Sequence, residues 1–87
     1  MVPSMRKSSA GSFTEMRLPN GSIYKGNLVD GKYDGRGILI YANKERYEGE
    51  FKNGMKHGKG KYYYIKGELY IGDWIENKKQ GKGLYFY

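Results

Sequence analysis

The apolar positions of this chain recur in step with glycine rather than in runs. Tyr24, Tyr47 and Tyr70 stand 23 residues apart, and Gly26, Gly49 and Gly72 follow each at the same offset. Leu28, Phe51 and Trp74 come two residues later, then Gly31, Gly54 and Asn77. The step holds again for Gly35, Gly58 and Gly81, for Gly37, Gly60 and Gly83, for Leu39, Tyr62 and Tyr85, and for Tyr41, Tyr64 and Tyr87. Register kept through so many columns without an insertion marks an internal repeat. Units fall at 24–46 and 47–69, with partial units at 12–23 and 70–87, and Phe13 to Leu18 reads as the second half of an incomplete first unit.

Within a unit the marked residues lie at i, i+2 and i+4, the spacing of one face of a β-strand. Tyr24, Gly26 and Leu28 make one strand; Gly35, Gly37, Leu39 and Tyr41 make the next. Helix is disfavoured, because each interior glycine costs about 1 kcal/mol relative to alanine. The pattern therefore predicts an all-β fold, an elongated single-layer antiparallel meander of hairpins. Its connections are expected to alternate between a longer loop, Lys52 to His57, and tighter turns at Asn43–Arg46 and Lys66–Glu68, with Asn20-Gly21 a further hairpin signal. Pairing Tyr41 with Tyr47 would set Gly37 opposite Phe51 and Gly60 opposite Trp74, laying a ring over bare backbone. In that register Gly60→Val is expected to strike Trp74 and cost about 1 kcal/mol or more.

Composition supports a sheet with one covered face. Aromatic residues make up 16% of the chain against a mean hydropathy of −0.85. That is too aromatic for a typical disordered segment and suits rings on one side with the other side wet. The opening Met1 to Ser12 is basic and free of acids, and is read as a flexible solvated tail over 1–11 in preference to a transit peptide. No apolar run approaches bilayer length and no secretory signal is present, so a soluble, intracellular chain is expected. The net charge of +7 favours acidic partners, anionic membrane surfaces or nucleic acid.

Candidate chemistry is sparse. There is no cysteine, which removes disulfides, thiolate catalysis and cysteine metal sites. His57 is the only histidine, so neither a histidine metal cluster nor a triad can be assembled around it. Gly54-Met55-Lys56-His57-Gly58-Lys59-Gly60 fails as a phosphate loop for want of the Walker spacing and a Ser or Thr after the lysine. Asp30 and Asp34 lack the further oxygen ligands of a calcium loop. No enzyme activity, cofactor or metal is expected.

The columns, written Tyr-x-Gly-x-(Leu/Phe/Trp)-x-x-Gly-x-x-x-Gly-x-Gly-x-x-x-Tyr, resemble the MORN (membrane occupation and recognition nexus) repeat, with the best match over Tyr47 to Gly60. The resemblance covers nearly everything after Ser12. It implies a bent single-layer sheet whose inner face carries the Tyr, Phe and Trp columns. It also implies a subunit of cytoskeletal, ciliary or membrane-associated assemblies that often dimerises, or an accessory segment of a lipid kinase or lysine methyltransferase. Asn77 in place of a loop glycine and Leu28 in place of a ring are expected to weaken the groove at those rungs.

Two surfaces remain for function. An aromatic face of Tyr24, Leu28, Tyr41, Tyr47, Phe51, Tyr62, Tyr64, Tyr70, Trp74 and Tyr85 is expected to form a partner-binding groove for an extended peptide or amphipathic helix. A basic loop edge of Lys52, Lys56, Lys59, Lys78, Lys79 and Lys82 is the candidate for anionic lipids such as phosphoinositides. Nucleic acid is set aside, because its bases would need rings the sheet already uses. Gly83-Leu84-Tyr85-Phe86-Tyr87 reads as an uncapped edge strand, expected to assemble with another copy or a different subunit unless a longer protein continues past it. A cytoplasmic, cytoskeletal or ciliary location, or a peripheral membrane one, follows from the resemblance.

Overall fold

The computed structural model of the chain describes residues 12–87, and the tail expected over 1–11 lies outside the described residues. Seven strands form one open antiparallel sheet whose spatial order is the chain order. They are β1 (Ser12–Arg17), β2 (Ile23–Val29), β3 (Lys32–Ile40), β4 (Arg46–Lys52), β5 (Met55–Tyr63), β6 (Leu69–Ile75) and β7 (Lys78–Phe86). The meander of hairpins predicted from the spacing is the observed fold.

Two kinds of turn alternate, with lengths the reverse of those expected. The connection inside each unit is the short one. Asp30-Gly31, Asn53-Gly54 and Glu76-Asn77 are two-residue loops with φ of 52° and 76°, 52° and 82°, and 48° and 72°. Positive φ at both positions is the type I′ geometry, whose twist matches the flanking strands. Met55 to His57, expected in a loop, therefore open β5. The extra residues go into a bulge instead: the register shifts between Gly26 and Leu28, between Gly49 and Phe51, and between Gly72 and Asp73. Gly35, Gly58 and Gly81 sit opposite these shifts with φ of 74°, 69° and 68°, a conformation that glycine adopts without strain.

Between units the loop has three residues. Gly21, Lys44 and Gly67 donate their N–H to the carbonyls of Leu18, Tyr41 and Tyr64 at 3.0, 2.9 and 3.0 Å. Leu18, Tyr41 and Tyr64 then donate to Ser22, Glu45 and Glu68 at 2.8, 2.8 and 2.9 Å. This loop pairs Tyr41 with Glu45, so Leu39 faces Tyr47, Gly37 faces Gly49 and Gly35 faces Phe51. One unit on, Tyr62 faces Tyr70, Gly60 faces Gly72 and Gly58 faces Trp74. The expected Tyr41–Tyr47 register is thus wrong by two residues, because the turn consumes three residues and not five. A slip of two keeps every side chain on its own face, so the assignment of faces survives the error.

The corrected register lines Gly26, Gly37, Gly49, Gly60, Gly72 and Gly83 into a ladder across β2 to β7. A ring does lie over this bare backbone, but it is the tyrosine of the unit and not Trp74. A Cβ on Gly37 would come within 2.8 Å of a Tyr24 ring carbon, and one on Gly60 within 2.5 Å of Tyr47 Cζ. The buried core is this layer of rings, Tyr24, Tyr47, Phe51, Tyr70 and Trp74, together with Leu39.

Candidate interaction surface

The ring face is built one unit at a time. Each lead tyrosine crosses the glycine ladder and donates its hydroxyl to the carbonyl three residues on: Tyr24 to Asn27 at 2.7 Å, Tyr47 to Glu50 at 2.8 Å and Tyr70 to Asp73 at 3.4 Å. That bond satisfies the phenol where the ring is buried. The ring four residues further along the strand seats itself edge-on against two lead tyrosines. Phe51 meets Tyr24 at 5.4 Å and 83° and Tyr47 at 5.0 Å and 77°. Trp74 meets Tyr47 at 5.3 Å and 84° and Tyr70 at 5.5 Å and 89°. Each such ring therefore staples its own unit to the one before, through the edge-to-face geometry that aromatic quadrupoles favour.

A second staple was not anticipated. The side chain of Lys56 folds over the rings, with Nζ 5.3, 5.8, 5.8 and 5.4 Å from the centroids of Tyr41, Tyr47, Tyr62 and Trp74. It donates to the Tyr41 hydroxyl at 2.7 Å. Lys79, one period on, lies over Tyr64, Tyr70 and Tyr85 at 5.1, 4.9 and 4.7 Å and donates to the Tyr85 hydroxyl. In the first unit the same column holds Tyr33, stacked on Tyr24 at 3.9 Å. Burial holds the Lys56 ammonium below its ordinary value and pushes Tyr24 and Tyr41 up to about 12, with Tyr47 and Tyr62 also raised. Glu45 is held low chiefly by the Tyr62 hydroxyl at 2.7 Å and then by the Ile65 N–H.

The hairpin turns add a main-chain series. Gly54 N–H donates to the Tyr33 carbonyl at 2.9 Å and Asn77 N–H to the Lys56 carbonyl at 3.0 Å. Asn77, expected to weaken its rung, takes the same left-handed conformation as Gly54, and its Oδ1 accepts from Lys56 N–H at 2.9 Å. The substitution adds a bond.

Of the residues assigned to a groove, Tyr24, Tyr47, Phe51, Tyr70 and Trp74 are buried against one another, and Leu28, Tyr41, Tyr62 and Tyr64 are half-covered. Only Tyr85 stands well open, at 46%. Leu39 and Tyr33 belong to the layer and were missed. Leu39 shares a column with Tyr62 and Tyr85, a signal present in the sequence, whereas nothing in a column that reads Tyr33, Lys56, Lys79 announces a common site.

The basic edge is not one surface. Strand alternation puts Lys52, Lys59, Lys78 and Lys82 on the reverse face, and Lys56 and Lys79 among the rings. Lys59 is paired with Asp73 at 2.6 Å, which raises its pKa. On the same reverse face Arg46 meets Glu48 at 2.8 Å, and a shallow hollow of about 420 Å³ opens over Ile71, Leu84, Lys61 and Lys82. Among the described residues no group of three His, Asp or Glu is placed to hold a metal ion. Among the described residues no helix is long and apolar enough to cross a membrane.

The last strand differs from the rest. Leu84, Phe86 and Tyr87 are exposed at 63%, 49% and 95%, and the outer edge of β7 has no partner among the described residues.

The search of curated proteins matches no relative to this chain. The MORN repeat model matches residues 24–46, 47–68 and 70–87, the same spans that the hairpins and their ring staples mark out. The chain belongs to the MORN repeat family, whose repeats are non-catalytic interaction modules for proteins and membranes.

Proposed function

We propose that this chain is a non-enzymatic assembly module that takes a partner polypeptide at the β7 end of its sheet, as a subunit of a cytoskeletal, ciliary or membrane-associated complex. One observation carries the reading. The lead rings of the inner units are buried against each other, whereas at β7 exposed apolar side chains and a main-chain edge with no partner among the described residues lie side by side: Tyr85 and Tyr87 on one face, Leu84 and Phe86 on the other. Main-chain pairing supplies affinity for an added strand, and alternate side-chain pockets supply selection. The groove expected along the whole ring face narrows toward this end, because the buried rings offer a partner no area and Leu28, Tyr41, Tyr62 and Tyr64 are half-covered.

Affinity capture from the source cells tests the reading, with the wild-type chain and a Leu84→Lys/Tyr85→Lys form side by side. Leu84 is open and Tyr85, though it packs on Tyr70, is 46% exposed; far-UV circular dichroism of the double variant checks that the sheet persists. Partners held by the wild type and lost by the double variant are expected. Identical partner sets would refute an edge-centred function. Binding of both forms to anionic liposomes, in place of any protein, would move the function to the reverse-face lysines.

A further inference from the structure

In the middle of the sheet the Lys56 ammonium is held by rings and by no acid. Tyr41, Tyr47, Tyr62 and Trp74, from the end of β3 and from β4, β5 and β6, have their centroids 5.3, 5.8, 5.8 and 5.4 Å from Nζ. None of the ion pairs among the described residues includes Lys56. Glu45 has one oxygen bonded to the Tyr62 hydroxyl and the other to the Ile65 N–H. The hydrogen bond that the ammonium makes is to the Tyr41 hydroxyl, at 2.7 Å.

The rings stand further off than a bare ammonium in contact requires. Such a nitrogen approaches a ring to about 3.5 Å, whereas a methyl carbon in contact at about 3.5–4.0 Å keeps the nitrogen behind it, one C–N bond of about 1.5 Å away, at about 5–5.5 Å. The four distances at Lys56 match or slightly exceed the second spacing. Lys79, in the same column one period on, lies closer, at 5.1, 4.9 and 4.7 Å from three rings, and is exposed. Partner chemistry points the same way. A ring attracts a methylated ammonium through the quadrupole that attracts a bare one, and needs no N–H to do so. A carboxylate partner does need N–H donors, and Lys59, bonded to Asp73 at 2.6 Å, has one.

We propose that Lys56 is a methylation site and that the cage fits its dimethylated form. One N–H stays on the Tyr41 hydroxyl, and two methyl groups turn toward Tyr47, Tyr62 and Trp74. A third methyl would cost the Tyr41 bond. Each methyl comes from a sulfonium donor carried by a separate methyltransferase. Nζ releases a proton to solvent, its lone pair attacks the methyl carbon, and the C–S bond breaks with its electron pair on sulfur, so that a neutral thioether leaves. A second round repeats these events, and the nitrogen ends with the single positive charge it began with. Burial, which holds the Lys56 ammonium below its ordinary value, favours the proton loss. Lys56 is half-covered and stands two residues after the Asn53-Gly54 turn, so its side chain reaches the donor by swinging off the ring face without parting the strands. The site lies inside the sheet and is independent of what β7 binds.

The whole 87-residue chain has no cysteine, so Lys56→Cys introduces a single thiol that alkylation converts to an aminoethyl, dimethylaminoethyl or trimethylammonioethyl thioether, each a lysine mimic. The dimethyl form should melt about 4 °C or more above the aminoethyl form, with its methyl proton resonances moved upfield by the rings. The trimethyl form should melt below the dimethyl one, and this difference should vanish on adding Tyr41→Phe, which keeps the ring and removes the hydroxyl. The same series at Lys59→Cys should show neither the gain nor the shift. Fragment mass spectrometry of the chain isolated from its source cells should find two methyl groups on Lys56 and none on Lys59. Equal melting of the aminoethyl and dimethyl forms, or methyl resonances at their solvent positions, would overturn the proposal. So would an unmethylated Lys56 in the cellular protein, whatever the mimics show.

Discussion

The ring-over-glycine contact is the feature on which the single layer depends, and Gly60→Ala measures it. A methyl at this position would lie 2.5 Å from Tyr47 Cζ, about 1 Å inside normal carbon–carbon contact. Relief by simple rotation is closed to Tyr47: the ring is fully buried, edge-packed against Phe51 and Trp74, and tied by its hydroxyl to the Glu50 carbonyl. Expelling the ring would forfeit roughly 4 kcal/mol of burial at about 25 cal/mol per Å², plus about 1 kcal/mol for the hydrogen bond. Parting the strands to keep it falls in the overpacking range of about 1–3 kcal/mol. The smaller cost governs, so a loss of about 2–3 kcal/mol is expected.

Urea unfolding followed by far-UV circular dichroism reads this loss, and a double-mutant cycle assigns it. If Tyr47 is the obstacle, the methyl costs less on a Tyr47→Leu background, with a favourable coupling of about 1 kcal/mol or more. Trp74→Leu should give no relief, since the corrected register places Trp74 opposite Gly58. A Gly60→Ala change within about 0.5 kcal/mol of wild type, or relief from Trp74→Leu alone, would refute the reasoning.

Three further outcomes follow from other parts of the sheet. Gly31→Ala meets no atom within 4 Å but fixes alanine at a φ of 76°, so it should cost only the left-handed penalty of about 1 kcal/mol by the same urea assay. Lys56→Ala should destabilise more than Lys79→Ala, because the Lys56 head touches four rings and is half-covered while Lys79 is exposed over three; equal losses would contradict the cage. Stability should hold to about pH 9 and fall through pH 10–12, because Tyr24 and Tyr41, raised to about 12, stay protonated in the sheet while the unfolded chain releases protons near 10. Each such tyrosine removes up to about 1.4 kcal/mol per pH unit in that window, opposed by Lys56, whose depressed value favours the folded state as pH rises. Phenolate absorbance should therefore rise together with loss of the sheet; titration of the tyrosines at their ordinary value in an intact sheet would count against the burial.

The fold was legible because a period-2 placement of glycine and aromatics admits few alternatives to a strand, and because a repeat multiplies every column. What misled was turn chemistry. Asp30-Gly31 and Asn53-Gly54 carry the type I′ signature, but Gly35 and Gly58, each four residues after the turn glycine, look like further loop glycines and drew the loop outward. Their positive φ belongs to a bulge, which leaves no compositional mark different from a turn. Lys56 and Lys79 were placed on a basic edge because their charge was read without their parity. Counting from Phe51 across the two-residue turn puts Lys56 on the ring side, and a long methylene stem lets the charged head sit over rings.

The reason one end of this sheet differs from its middle is physical and not compositional. In a two-layer domain each ring finds cover from the opposite layer, but here cover comes from the neighbouring unit: Phe51 shields Tyr24, and Trp74 shields Tyr47 and closes the cage of Lys56. Such stability is a sum of nearest-neighbour terms. Tyr70 receives Trp74 from its own unit and Tyr85 from β7, yet nothing from beyond β7 among the described residues. Among the described residues, the rings of the last unit therefore receive the least such cover.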